Sequence, residues 1–211
     1  MFSKFFSLEP EKQERIVNAA TKEFAKKGFD AASTNEIVRE ANIGKGMLFH
    51  YFNSKKELFL FLYDYSLEVV RKEFFGKINL LERDILVRWK QISMLKIELV
   101  RKYPDILNFI MTANLEGSRA VADSLGDRNK EFVTLSLNKI FEDIDTSKFK
   151  EGVDIKKAGK VILWAIEGIS AEAGEKAKKL SLQELDYDEI LEEVDGYLEL
   201  FRNCFYKQKR R

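Results

Sequence analysis

The stretch Ser33–Glu57, STNEIVREANIGKGMLFHYFNSKKE, decides how the rest of the chain is read. Ser33 and Glu36 form an S-x-x-E capping box, which places a helix start at Ser33. Ile37, Val38 and Ala41 fall on one side of that helix and are its expected buried face. It is short, because Asn42 and Gly44 interrupt it; Asn tolerates the left-handed backbone of a tight turn, and Ile43 plugs the corner. Gly44 is an acceptable N-cap for a second short helix. Ser54 and Glu57 make another capping box, opening a long helix from Lys55 to about Phe75.

Placing the second short helix at 100° steps puts Leu48 and Phe52 together, with Phe49 on their flank, and these are expected to face inward. Gly46, Met47, His50 and Tyr51 take the opposite arc, and Lys45 sits in the first turn. Two short helices joined by a tight turn behind a preceding helix make a helix-turn-helix unit, whose second helix fits a DNA major groove. Lys45 is suited to guanine or phosphate, Gly46 to close backbone approach, and Met47 to a thymine methyl. His50 and Tyr51 offer donors to phosphate or base edges, and Asn35 can reach either. Thr34 and Lys55 lie in the first turns of their helices, where free N–H groups and the dipole favour phosphate.

Upstream, a helix is expected from Pro10 to about Lys27, with Ile16, Val17, Ala20 and Phe24 on one side and Gly28 as its C-cap. Phe2, Phe5 and Phe6 are expected to pack on that helix; a membrane-surface anchor is the less favoured alternative.

From about Glu11 to Leu62, roughly a quarter of the chain, the sequence resembles the DNA-binding domain of the TetR family of transcriptional regulators. The matching pieces are AATKEFAKKGFDAAST, EIVREANIGKG and LFHYFNSKKELF. The resemblance implies DNA contacts at Thr34, Lys45, Gly46, His50, Tyr51 and Lys55. Two departures stand out. Phe49 occupies a position where many members carry a phosphate-binding Tyr, and Gly44 replaces the usual Ser.

The implied architecture is all-α. A helix-turn-helix DNA-binding domain of three helices (residues 1–54) is joined by a long helix to a larger helical domain for ligand binding and dimerisation (55–211). The downstream pattern suits this, with helices expected at Asp84–Lys102, Asp105–Asn114, Asp127–Asp143, Ile155–Lys179 and Glu189–Tyr206; Gly117–Gly126 is ambiguous. In the last two, Ile162, Ala165, Ile166, Ile169, Val194, Leu198, Phe201 and Phe205 recur at three-four spacing. Packing within one chain explains these stripes as well as pairing of two chains does. The resemblance favours pairing, because family members dimerise through their last two helices. It also implies a small apolar or amphipathic ligand held between helices, for which Trp89, Met94, Phe109, Met111 and Trp164 are candidate wall residues; each alone reads equally as core.

Composition agrees and excludes rivals. Hydrophobic residues at 45% supply a core, and two prolines with eleven glycines leave little punctuation for a many-stranded fold. A net charge of +1 means that any DNA surface comes from local placement of cations. The single cysteine, Cys204, excludes an intramolecular disulfide and fits a reducing compartment, hence a cytoplasmic protein. No apolar run reaches the ~18 residues of a membrane span. One histidine and one cysteine far apart give no metal or cofactor site and little basis for an enzyme. The function expected is sequence-specific regulation of transcription: repression by a two-fold dimer on a palindromic operator, released by a ligand. An all-α enzyme and a helical protein-interaction module are the rivals.

Overall fold

A computed structural model describes residues 2–180 and 182–208; for Lys45, Leu135, Ser136, Lys178, Lys179 and Gln183 it describes the backbone alone. Among these residues the regular structure is helical, with one isolated antiparallel bridge between Phe149 and Tyr206. The helices are α1 (Ser3–Phe6), α2 (Pro10–Ala31), α3 (Thr34–Glu40), α4 (Lys45–Phe52), α5 (Lys55–Glu73), α6 (Ile85–Lys102), α7 (Pro104–Asn114), α8 (Ala122–Ile140), α9 (Ile155–Lys179) and α10 (Tyr187–Phe205). No helix among them is long and apolar enough to cross a membrane.

The chain divides into two compact units, the first comprising Met1–Lys72 with Tyr103–Thr134, the second Glu73–Lys102 with Leu135–Arg211. This division is not the one at residue 54 expected from the sequence. Its cause is aromatic. Phe24 of α2 meets Phe59 of α5 edge-on at 4.9 Å, and Phe109 of α7 lies 5.1 Å from Phe59. These rings are fully buried, so α5 and α7 share one core with the N-terminal helices.

In the first unit, α2 breaks at Gly28, whose φ of 68° is open to glycine at little cost, and Phe29 turns back into the core as expected. Asn42, at φ 51°, makes the turn after α3, and the Ile43 amide returns to the Val38 carbonyl at 3.0 Å. Phe5 lies in the short helix α1, with Phe2 as its N-cap, and both rings pack on Phe52 of α4 and Phe61 of α5, whereas Phe6 is exposed. Further on, α8 begins at Ala122, earlier than the Asp127 expected, because the Val121 and Ala122 amides already close on the Ser118 carbonyl.

In the second unit, α10 packs on α6 and α9. The Phe141 ring fits against Gly159, where an added Cβ would come within 3.0 Å of it. Arg88, fully buried, donates to the carbonyls of Leu80, Glu82, Ile140 and Glu142 and so ties the start of α6 to the end of α8. The stripes of α9 and α10 turn inward: Ile162, Ile166, Ile169, Val194, Leu198 and Phe201 are buried within the single chain, and Ala165 and Phe205 half-buried. Six of the eight residues expected at a dimer interface thus lie in the core of the unit, as packing within one chain would have them. The large apolar groups that α9 and α10 expose among the described residues are Val161, Trp164, Tyr197 and Leu200.

Candidate nucleic-acid interface

The two short helices are set by caps at each end. Ser33 Oγ accepts from the Glu36 amide at 3.4 Å, the first half of a capping box. The reciprocal half is not made by Glu36, whose carboxylate pairs with Arg39. Glu23 of α2 takes its place, accepting from the Ser33 amide at 2.8 Å and from Lys27 Nζ at 2.8 Å. Burial pushes the Glu23 carboxyl up, but the hydrogen bonds from Lys27 and Ser33 outweigh it and hold the group below its ordinary value. Lys22 of α2 pairs with Glu40 of α3 at 2.9 Å. At the far end Ser54 Oγ accepts from the Glu57 amide at 3.1 Å, as the second capping box requires. Asn53, at φ 56°, turns the chain between α4 and α5.

On this frame α4 buries Leu48 and Phe52 and exposes Gly46, Met47 and His50, and Asn35 on α3 is exposed as well. Nothing lies within 4 Å of where a Cβ would stand on Gly46, so a flat surface has free approach to the backbone there. Thr34 is half-buried in the first turn of α3. The backbone of Lys45 opens α4 behind Gly44, as expected, while its side chain lies outside the described residues.

Two aromatic positions are exchanged relative to expectation. Tyr51 is 5% exposed, its ring beneath Lys12 Nζ, and its buried hydroxyl has no hydrogen-bond partner among the described residues. Phe49 is 39% exposed. Measured from the midpoint of Leu48 and Phe52, Phe49 and Tyr51 sit about 80° to either side, so helix periodicity cannot rank them. Packing ranks them: the start of α2 covers the Tyr51 side. Tyr51 is therefore not an outward donor, and Phe49 is a face residue that the sequence reading placed in the core. Lys55 needs a smaller correction. Its Nζ donates to the Asp30 carbonyl at 3.1 Å and lies 5.1 Å from the centre of the Phe29 ring, so a phosphate would compete with existing partners.

The residues expected to line a ligand site are divided between the two units. Phe109 belongs to the aromatic core of the first unit, and Met111 is half-buried in the same unit. In the second, Met94 and Trp164 are 46% and 64% exposed. Of these three Trp89 is buried, 6.2 Å from the Phe141 ring, with its indole N–H unpartnered among the described residues. Among the described residues, no three His, Cys, Asp or Glu side chains are grouped to hold a metal ion.

An α3–turn–α4 pair that presents one small, apolar and imidazole-bearing face over a capped frame is the geometry of a helix-turn-helix reader. Residues 16–62 match the family described as bacterial regulatory proteins, tetR family. Over those residues the chain carries the DNA-binding segment of that family. Among similar proteins, YerO of Bacillus subtilis (strain 168), an uncharacterized HTH-type transcriptional regulator, is 32% identical over 111 residues, covering 50% of this chain and 37% of YerO. This chain thus spans well under half the length of that relative. The fatty acid metabolism regulator protein of the same organism is 24% identical over 162 residues, 72% of this chain and 78% of that protein. The solved structure of a fatty acid metabolism regulator from Clostridium perfringens superposes with a TM-score of 0.63 at 22% identity, covering 92% of this chain and 100% of that one. These relatives are named as regulators of transcription or metabolism, not as enzymes.

Proposed function

We propose that the protein is a sequence-specific DNA-binding transcriptional regulator of the TetR type, acting as a two-fold dimer that represses from a palindromic operator until a small molecule releases it. The observation that carries this reading is the exposed face of α4, with Gly46, Met47, Phe49 and His50 above the buried Leu48 and Phe52. Thr34, Asn35 and Lys45 extend it, and Lys55 joins once it leaves Asp30. Selecting bound duplexes from a random pool tests the reading and reports the operator. A recovered motif with two-fold symmetry, and affinity that falls steeply with salt, are the expected results. Recovery of no motif would sink it.

Because most of the stripes are buried within the single chain, this reading pairs the second copy through another surface. On α9, Val161, Trp164, Gly168 and Ala171 recur at three-four spacing on the exposed side; on α10, Tyr197, Leu200 and Cys204 do the same. We place the dimer contact on these residues. It would set the two α4 helices about 34–36 Å apart, the span of successive major grooves.

For the effector, the names of two similar proteins point to fatty-acyl chemistry: an apolar chain with an anionic head. Of the five candidate wall residues only Trp89 keeps a place in this proposal, its buried indole N–H being unpartnered. Ligand would favour a spacing of the reading helices that no longer fits the operator, weakening binding by its differential affinity for the two states. Titrating a fatty acid and its thioester into the operator complex tests this arm separately.

A further inference from the structure

We propose that α1 is a brace for the reading helix, and that Phe5 is the positioning residue through which it acts; the functional half of this rests on the DNA-reading assignment above. The need for a brace is visible in α4 itself. It is eight residues long, and its N-cap, Gly44, supplies no side-chain acceptor. A helix of two turns has little stability of its own, so its direction is set by what packs on its inner face. The last inward residue, Phe52, is 1% exposed. Phe5 covers it with ring centres 5.0 Å apart, and Phe2 at 5.5 Å. Both rings also meet Phe61 of α5, at 5.2 and 5.1 Å, and Phe61 lies 5.1 Å from Phe52. Four phenyl rings thus bind α1, the end of α4 and the middle of α5 into one cluster.

The segment is itself held in place. Gln13 Nε2 donates to the Leu8 carbonyl at 2.7 Å and to the Phe6 carbonyl at 3.3 Å, fixing the turn between α1 and α2. Ser7 Oγ donates to the Lys4 carbonyl at 2.9 Å and closes the last turn of α1. Phe5 is 2% exposed whereas Phe6 is 59% exposed, so α1 turns a specific ring inward. All of this lies before residue 16, where the family match begins. A reading helix displaced by a fraction of an ångström loses base contacts while keeping its fold, which makes Phe5 a determinant of selectivity at one remove from the DNA.

The test uses the full chain with Phe5→Ala, Phe5→Leu and Phe6→Ala. Amide hydrogen exchange without DNA reads the brace directly. In Phe5→Ala the amides of Leu48–Phe52 should exchange about tenfold faster while those in the middle of α2 keep wild-type protection. Phe5→Leu should restore most of that protection, and Phe6→Ala should behave as wild type. On the selected duplex, Phe5→Ala should lower the preference over a random duplex about tenfold, with the salt slope unchanged because no phosphate contact is lost. Unchanged exchange in α4 overturns the proposal. So does acceleration spread evenly over the first unit with a matching fall in Tm, which is a stability effect alone. If wild type shows no duplex preference, the DNA reading fails, and the exchange result still decides whether α1 braces α4.

Discussion

The carboxylate of Glu116 accepts a hydrogen bond from the backbone amide of Phe29 at 2.6 Å, tying the segment after α7 to the left-handed break in α2. Its other oxygen accepts from the Ser118 amide at 2.9 Å, and Ser118 Oγ donates to Asp30 at 2.9 Å. The break therefore has a partner from far along the sequence. Two substitutions should report it. Gly28→Ala forces an L side chain to φ 68° and brings its Cβ within 3.0 Å of Glu116 Oε2, at a cost of about 1–2 kcal/mol. Glu116→Ala leaves the Phe29 amide without its acceptor, costing about 1–3 kcal/mol. Urea unfolding of each variant gives both values, and a Gly28→Ala chain as stable as wild type would contradict the account.

The exchange of Phe49 and Tyr51 makes opposite predictions for two hydroxyls. Phe49→Tyr adds a donor on the exposed face of α4 and should tighten duplex binding by about 0.5–1.5 kcal/mol, a few-fold to tenfold in Kd. Tyr51→Phe removes a buried hydroxyl that has no partner, so it should leave binding unchanged and stability equal or slightly higher. Binding isotherms on one operator at one salt concentration decide this. A large loss of affinity in Tyr51→Phe would return Tyr51 to the groove.

That exchange also marks how far the sequence could be read. Ser33, Ser54, Asn42 and Gly28 act locally, through caps and backbone conformations, and their roles in the fold were legible in neighbouring residues. Phe49 and Tyr51 were not, because a helical wheel gives a direction and not the neighbour that fills it. The same limit explains α9 and α10. An apolar stripe at three-four spacing states that a face is covered, and Ile162 and Leu198 obeyed it, but the cover turned out to be their own chain. Phe109 was misplaced for a related reason: nothing near it in sequence announces that it will meet Phe24 and Phe59. The exposure of Gly46, Met47 and His50 was legible because a short helix with one clearly apolar pair leaves its opposite arc no other place.

The second unit should lose stability at both ends of the pH range through one cluster. Asp84 is buried and accepts from Tyr206 Oη at 2.8 Å and Lys148 Nζ at 2.8 Å. Burial raises its carboxyl, yet these hydrogen bonds prevail and leave it below its ordinary value. Its contribution is thus fully present above about pH 4 and is lost as pH falls through the lower folded value. Burial, then the bond to Asp84, pushes the Tyr206 hydroxyl well above its ordinary value. That contribution is present below about pH 10 and is lost as pH climbs toward the raised folded value. Tyr206→Phe should cost about 1–3 kcal/mol at neutral pH. It should also start the acid loss at higher pH, because Asp84 is then less well held. Tm measured from pH 3 to 11 checks both limbs; an unchanged acid limb would show that Tyr206 does little for Asp84.

The dimer surface is separable from the core by choosing residues on opposite sides of the same helices. Ile162 is fully buried, so Ile162→Ala should cost about 2–5 kcal/mol of stability while the folded fraction still pairs. Trp164 and Leu200 are 64% and 53% exposed, so charging them should leave the fold of the single chain intact. If a second copy covers them, Trp164→Glu with Leu200→Glu buries two carboxylates in an apolar contact and should drive the protein to monomers. Sedimentation at micromolar concentration, beside circular dichroism melting, distinguishes the outcomes. Operator affinity should then fall steeply, since each copy binds a half-site without the other. A double variant that remains dimeric would place the interface elsewhere, and the exposed Val161–Trp164 side of α9 would have to be explained in another way.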